Sequence, residues 1–190
     1  MSAKLASALA IATVLLVCGC GTSPAPTPAP GTDRYGAPLV SEPRDLRSHG
    51  PAPCDGPLGA SELRSLGFNA AGRPSRLGTG ANSCTWEDYG TKQSVSFVVY
   101  PSSDILVDTY RTRLFPQFNP TMIEGLPAVQ EQSSSDATAC TITVGTAEGQ
   151  GFVSTYTQLE VPAGEQPDDP CARGRRIVER IVAALPPLQK

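Results

Sequence analysis

Gln93-Ser94-Val95-Ser96-Phe97-Val98-Val99-Tyr100 is the stretch from which the fold is read. Val95, Phe97 and Val99 alternate with Ser94, Ser96 and Val98, the period of two that sets apolar side chains on one face of a strand. Pro101 ends it. Upstream, Ser83 to Asp88 reads as a partner strand across an Asp88-Tyr89-Gly90 turn. Downstream, Leu126 to Gln132, Thr138 to Gly145 and Gly151 to Leu159 read as three more. The last two are joined by Thr146-Ala-Glu-Gly-Gln150, a length suited to a hairpin.

Helical signals surround these runs. Gly59-Ala60-Ser61-Glu62-Leu63-Arg64-Ser65-Leu66-Gly67 predicts a short helix with Gly59 as N-cap, Glu62 at N3 and Gly67 as a left-handed stop. Ser103 is expected to cap a second helix to about Leu114, with Leu106, Tyr110 and Leu114 on one face. Pro116 and Pro120 bracket the loop beyond it. A last helix runs to about Leu185 with Ile177, Ile181 and Leu185 inward, flanked by Val178 and Val182, and Pro186-Pro187 closes it. The expected class is α+β: a mainly antiparallel sheet of about five strands with three helices packed on it.

The chain begins differently. Lys4 precedes a short apolar run from Leu5 to Val17, and Gly19 stands before Cys20. The run is shorter than the roughly 20 residues a bilayer-spanning helix needs, so it reads as a signal-peptide core. A small residue before a cysteine resembles a bacterial lipobox, which makes Cys20 the acylated residue and residues 1–19 the signal peptide. Cys20 fits better than Cys18, which follows the bulky Val17. The expected location is the outer face of the plasma membrane, with a lipid anchor. Residues 20–53 then form a lipidated cysteine and a proline-rich linker. Thr22-Ser-Pro-Ala-Pro-Thr-Pro-Ala-Pro30 leans to polyproline II, and Pro38, Pro43, Pro51 and Pro53 continue it. Its expected role is distance from the bilayer, with the folded domain spanning 54–190.

Four cysteines follow Cys20, an even number that in an exported chain reads as two disulfides. Of three pairings the expected one is Cys54–Cys84 with Cys140–Cys171, each closing a loop of about thirty residues worth roughly 3–4 kcal/mol. A metal site lacks the spacing, for there is no Cys-x-x-Cys and the only histidine, His49, falls in the linker. No cofactor is implied.

With Lys4 removed the formal charge passes from −3 to −4, which argues against nucleic acid and against electrostatic adhesion to anionic lipid. Catalytic constellations are thin. His49 has no reason to be held against a serine, and only Lys92 and Lys190 are lysines of the domain. Glu87-Asp88 and Asp168-Asp169 read as loop charges, the latter favouring the N-terminus of the last helix. Gly78-Thr79-Gly80 and Gly149-Gln150-Gly151 do not bridge a strand to a helix N-terminus, so neither is a phosphate loop. Trp86, two residues after Cys84, is either a core anchor over the disulfide or the wall of a groove. Arg173, Arg176 and Arg180 share a helical face, either a solvated stripe or a docking face for an acidic partner; Arg175 and Glu179 are spaced to pair.

Pro53-Cys54, Ser61-Glu62-Leu63 with Leu66-Gly67, and Cys84-Thr85-Trp86 form one part of a pattern. Glu124-Gly125-Leu126-Pro127-Ala128, Cys140 opening a strand and Pro170-Cys171-Ala172 opening the last helix form the rest. In order and cysteine placement, from about Cys54 to Leu185, they resemble actinobacterial cell-envelope lipoproteins with a domain of unknown function, the DUF3558-type family that includes mycobacterial LprB and LprC. The resemblance implies an envelope location and the disulfides, and no catalytic residue. The expected role is non-enzymatic binding of an envelope protein or small ligand; the alternatives are a small-molecule or lipid carrier and an envelope enzyme. A carrier needs a sizeable apolar pocket between sheet and helices, and an enzyme a cleft with converging polar groups.

Cys20→Ala is expected to release the protein from membranes or leave an uncleaved precursor, read by cell fractionation and intact mass. An unchanged acylated membrane form would refute the lipobox assignment.

Overall fold

The computed structural model describes residues 33–135, 137–161 and 169–189. The expected signal peptide (1–19), Cys20 and the expected linker as far as Thr32 lie outside the described residues, as does Asp168.

All seven strands join one antiparallel sheet in the order β1-β2-β3-β7-β6-β5-β4. They are β1 (Arg73–Arg76), β2 (Asn82–Asp88), β3 (Gln93–Tyr100), β4 (Gln117–Ile123), β5 (Leu126–Gln132), β6 (Ala139–Ala147) and β7 (Gln150–Gln158). Two meanders, β1–β3 and β4–β7, are therefore sewn together where β3 pairs with β7, with Val95 opposite Tyr156 and Val99 opposite Phe152. The helices are α1 (Ala60–Ser65), α2 (Ile105–Thr112) and α3 (Pro170–Ala184).

The period of two sorts the sheet into unlike faces. One carries Trp86, Val95, Phe97, Val99, Ile142, Val144, Phe152 and Tyr156, all buried, and receives Ile177, Val178, Ile181 and Val182 of α3. Gly174 permits close approach, since a Cβ there would lie 3.3 Å from Ile142. The opposite face carries Thr143, Thr141, Thr155 and Ser96, and α2 covers its end with Leu106, Tyr110 and the Thr109 hydroxyl, 3.3 Å from that of Thr143. Disulfides join Cys54 to Cys84 and Cys140 to Cys171, the pairs anticipated above. The second ties the first turn of α3 to β6.

The α+β class stands, but the sheet has seven strands rather than about five. The two that escaped sequence reading are the edges. β1 is Arg-Pro-Ser-Arg, exposed throughout, so it has no apolar alternation to see. β4 contains Pro120 opposite Val129, tolerated because an outermost strand need not donate on both sides. Pro127, in the interior strand β5, stands beside the bulge between Gly145 and Ala147, where β5–β6 pairing has already stopped. Helix α2 is capped by Asp104 rather than Ser103 and ends at Thr112, with Arg113 left-handed at φ 43°. Leu114 thus falls off the expected apolar face and is exposed. The β6–β7 turn contracts to Glu148-Gly149.

The larger departure is at residues 33–53, read from sequence as linker. They pack on the domain. Leu46 is fully buried and its N–H donates to Gln150 Oε1 at 3.0 Å. Arg44 N donates to Thr146 O at 2.7 Å, Asp45 N to Pro186 O at 2.8 Å, and Arg34 pairs with Asp104 at 2.9 Å. The prolines suit this role as well as a solvated one: an extended segment that binds through N–H groups between its prolines lies flat on a surface. Arg47 holds the Asp45 carboxyl down to about 2 through side-chain and backbone hydrogen bonds.

Leu46→Ala should cost about 2–5 kcal/mol, as for a fully buried leucine. Urea unfolding of the full chain measures it, and a cost near zero would return residues 33–53 to the linker.

Candidate functional site

The outward side of α3 presents the arginines singled out above. Asp169 starts the helix, its Oδ1 accepting from Cys171 N at 2.9 Å and Ala172 N at 3.1 Å. With Ile177, Ile181 and Val182 turned to the sheet, Arg173, Arg176 and Arg180 fall along one edge and line an open groove of about 550 Å³. Leu66 and Ala183 give the groove apolar patches, and Glu124 and Glu179 border it.

The arginines are not equivalent. Arg173 is half-buried, donates to Gln93 Oε1 at 3.0 Å and lies 5.9 Å from the Tyr156 ring centroid. Gln93 in turn donates to Gly67 O at 2.9 Å, so this network fastens α3 and the end of α1 to β3. Arg175, outside the groove, pairs with Glu179 at 2.9 Å and donates to Met122 O at 2.9 Å, pinning the edge strand β4. Arg176 and Arg180 are exposed and make no ion pair with a described residue.

Trp86 settles into both of its alternatives. It is 3% exposed and packs in the core beside the Cys54–Cys84 bridge. Gly72 covers this pair so closely that a Cβ there would stand 2.6 Å from Cys84 Sγ and 2.7 Å from Trp86 Nε1. The indole edge, with Leu63 and Phe68, also reaches the wall of a surface cleft of about 530 Å³.

The other sequence candidates hold structural positions. Asp88 accepts from Asn69 N at 2.7 Å, Gly90 N at 2.9 Å and Thr91 N at 3.1 Å; these backbone donors hold its carboxyl below the usual range. Glu87 pairs with Arg73 across β1–β2, and Lys92 with Glu160 at 2.9 Å. His49 is held in a 3-10 turn (Arg47–His49) rather than loose, and partial burial lowers its pKa. Its ring makes no hydrogen bond to a described residue; the nearby Asp45 carboxylate acts on it through charge alone and is itself tied to Arg47. Gly78-Thr79-Gly80 forms the tip of the β1–β2 hairpin and borders a cleft of about 520 Å³ with Tyr100, Ser103 and Asp108. Among the described residues no three His, Cys, Asp or Glu side chains gather as a metal site would require, and no helix is long and apolar enough to cross a membrane.

Sequence reading missed Glu131. It is 5% exposed on the α2 face of β5, between Phe118 and Thr141, and its Oε1 has no hydrogen-bond partner. Burial pushes its pKa up, against a hydrogen bond from Phe115 N that lowers it. Val129-Gln130-Glu131-Gln132 looks like the polar end of an edge strand until β4 is known to cover it.

The chain belongs to the family described as "Protein of unknown function (DUF3558)", whose model matches residues 15–184. No curated protein matches the chain, and no solved structure does.

Because burial raises Glu131's pKa, the folded protein holds this proton more tightly than the unfolded chain. The associated stability is fully present below the ordinary value of 4.5 and is lost as pH rises through the folded pKa. Glu131→Gln should therefore flatten the decline above about pH 4.5 and leave the variant more stable than the parent at neutral pH. Urea midpoints across that range test this; identical profiles for the two proteins would exclude it.

Proposed function

We propose that this member of the family is a lipid-anchored envelope protein, acylated on Cys20, that works without catalysis as an interaction module. Its docking face is the α3 groove, and its partner presents acidic groups there. The observation that carries the reading is the pair Arg176 and Arg180, two exposed cations side by side on a rigid helix, while neighbouring Arg173 and Arg175 are tied into the fold. Two guanidiniums one turn apart on a preorganised surface suit carboxylate or phosphate recognition. The disulfide at Cys171 and the Asp169 cap fix the helix that bears them.

The carrier alternative is weaker for a physical reason. Side chains of Phe97, Phe152, Ile142, Ile177 and Ile181, each at most 3% exposed, occupy the space between sheet and α3 where a ligand would sit. The clefts described above open at the surface and are small beside a lipid.

The test is crosslinking in intact cells followed by capture, comparing wild type with R176E/R180E and leaving Arg173 in place. A specific acidic protein should be recovered with wild type, fall by about tenfold or more in the variant, and weaken with salt. The same set of proteins from both samples would overturn the reading.

A further inference from the structure

We infer that Tyr35, Leu39, Leu114 and Met122 form a contact patch for the lipid bilayer, which lays the domain down on its α2 face; this rests on the acylation of Cys20 proposed above. These are four of the seven large apolar side chains exposed among the described residues, at 45%, 76%, 79% and 49%. Leu77, Tyr89 and Leu159 make up the rest and are scattered over the hairpin tip, a turn and a strand end.

The four gather around one buried nucleus. Tyr110 packs edge-on to Phe118, with centroids 5.1 Å apart, and Ala37, Leu106 and Val129 complete the cluster. Gly36 lies against Tyr110, which places Tyr35 at its rim; Leu39 follows Ala37 by two residues. Arg113 covers the Phe118 ring at 4.7 Å, with Leu114 next to it. Met122 points to the same sheet face as Phe118, four residues along β4.

The occupant follows from chain and charge. The segment that leads to Cys20 leaves the described structure at Asp33, two residues from Tyr35. Twelve residues lie between Cys20 and Asp33, so the acylated residue is at most about 45 Å of extended chain from Asp33. Arg113 is exposed at its edge beside Leu114, Arg111 and Arg34 are paired with Asp108 and Asp104, and the exposed acids Glu42 and Glu124 lie at the far end, near Met122. An apolar patch with a cation at its edge is a surface that enters a headgroup layer. Two acyl chains already suffice for attachment, so the patch sets orientation. Since α2 and α3 lie on opposite faces of the sheet, Arg176 and Arg180 then point away from the membrane.

The experiment reconstitutes the full acylated chain in phosphatidylglycerol–phosphatidylethanolamine vesicles doped with a lipid bearing a diazirine on its acyl chain. Photolysis and peptide mapping should place adducts on residues 33–40 and 111–123 and none on α3. L39S/L114S should lower these adducts by about tenfold while the vesicles still float with the protein. In a second variant, Leu39→Trp, brominated acyl chains should quench the added indole emission beyond that of Trp86. Adducts on α3, equal adducts in the double variant, or crosslinks joining two copies through the patch would overturn the proposal. Absence of the acyl mass from the Cys20 peptide would instead overturn the anchor reading, and the two failures are told apart in one spectrum.

Discussion

The pairing of β3 with β7 holds this molecule together. Each meander closes on itself through short turns, but neither buries its apolar face alone. The eight-residue register from Gln93↔Gln158 to Tyr100↔Gly151 makes one sheet of them and brings Phe97 edge-on to Phe152 at 5.3 Å. Helix α3 packs on the second meander, over Ile142 and Val144 from one strand and Phe152 and Tyr156 from the next, and the seam extends that apolar floor with Val95, Phe97 and Val99 of β3. The entropy of closing this long loop is recovered by that shared core. Both disulfides sit to either side of the seam: Cys54–Cys84 steadies the first meander, and Cys140–Cys171 brings α3 across the second.

Local signals in the sequence reported local structure well. Alternation in 93–100 marked β3 to the residue, the expected strand 126–132 coincides with β5, and Ile177, Ile181 and Leu185 marked the buried side of α3. What depended on distant partners was invisible. β1 and β4 are strands because β2 and β5 offer them hydrogen bonds, and their own composition of proline and polar side chains says otherwise. Leu46 looked like a lone leucine among prolines; its burial depends on Gln150, more than a hundred residues away. Glu131 was missed for the same reason, since its surroundings include β4, a neighbour strand no pattern had announced. Of the candidate site, the shared face of the arginines was legible from helical spacing. That Arg173 is drawn inward by Gln93 was not, because that contact spans eighty residues.

The folded N-terminal segment also changes the mechanics of the proposed tether. Read from sequence, the whole proline-rich stretch was a spacer. With residues 33–53 fastened to the sheet end, to α2 and to the segment after α3, a pull on the N-terminus is delivered to Arg34–Asp104 and Arg44–Thr146. The two faces of the sheet acquire different duties: one filled and carrying the arginine helix, the other rich in hydroxyls and partly covered by α2.

The prolines at the two sheet edges bear on how copies of this chain meet one another. Proteins confined to a surface meet at high effective concentration, and an open antiparallel sheet offers unpaired donors and acceptors along both outer strands. Pro74 in β1 and Pro120 in β4 each delete a donor from those edges, and Arg73 and Arg76 add charge to the first. Copies of the chain that meet are thus kept from joining edge to edge into a continuous intermolecular sheet. The composition that hid the edge strands from sequence reading is what keeps each copy a separate sheet.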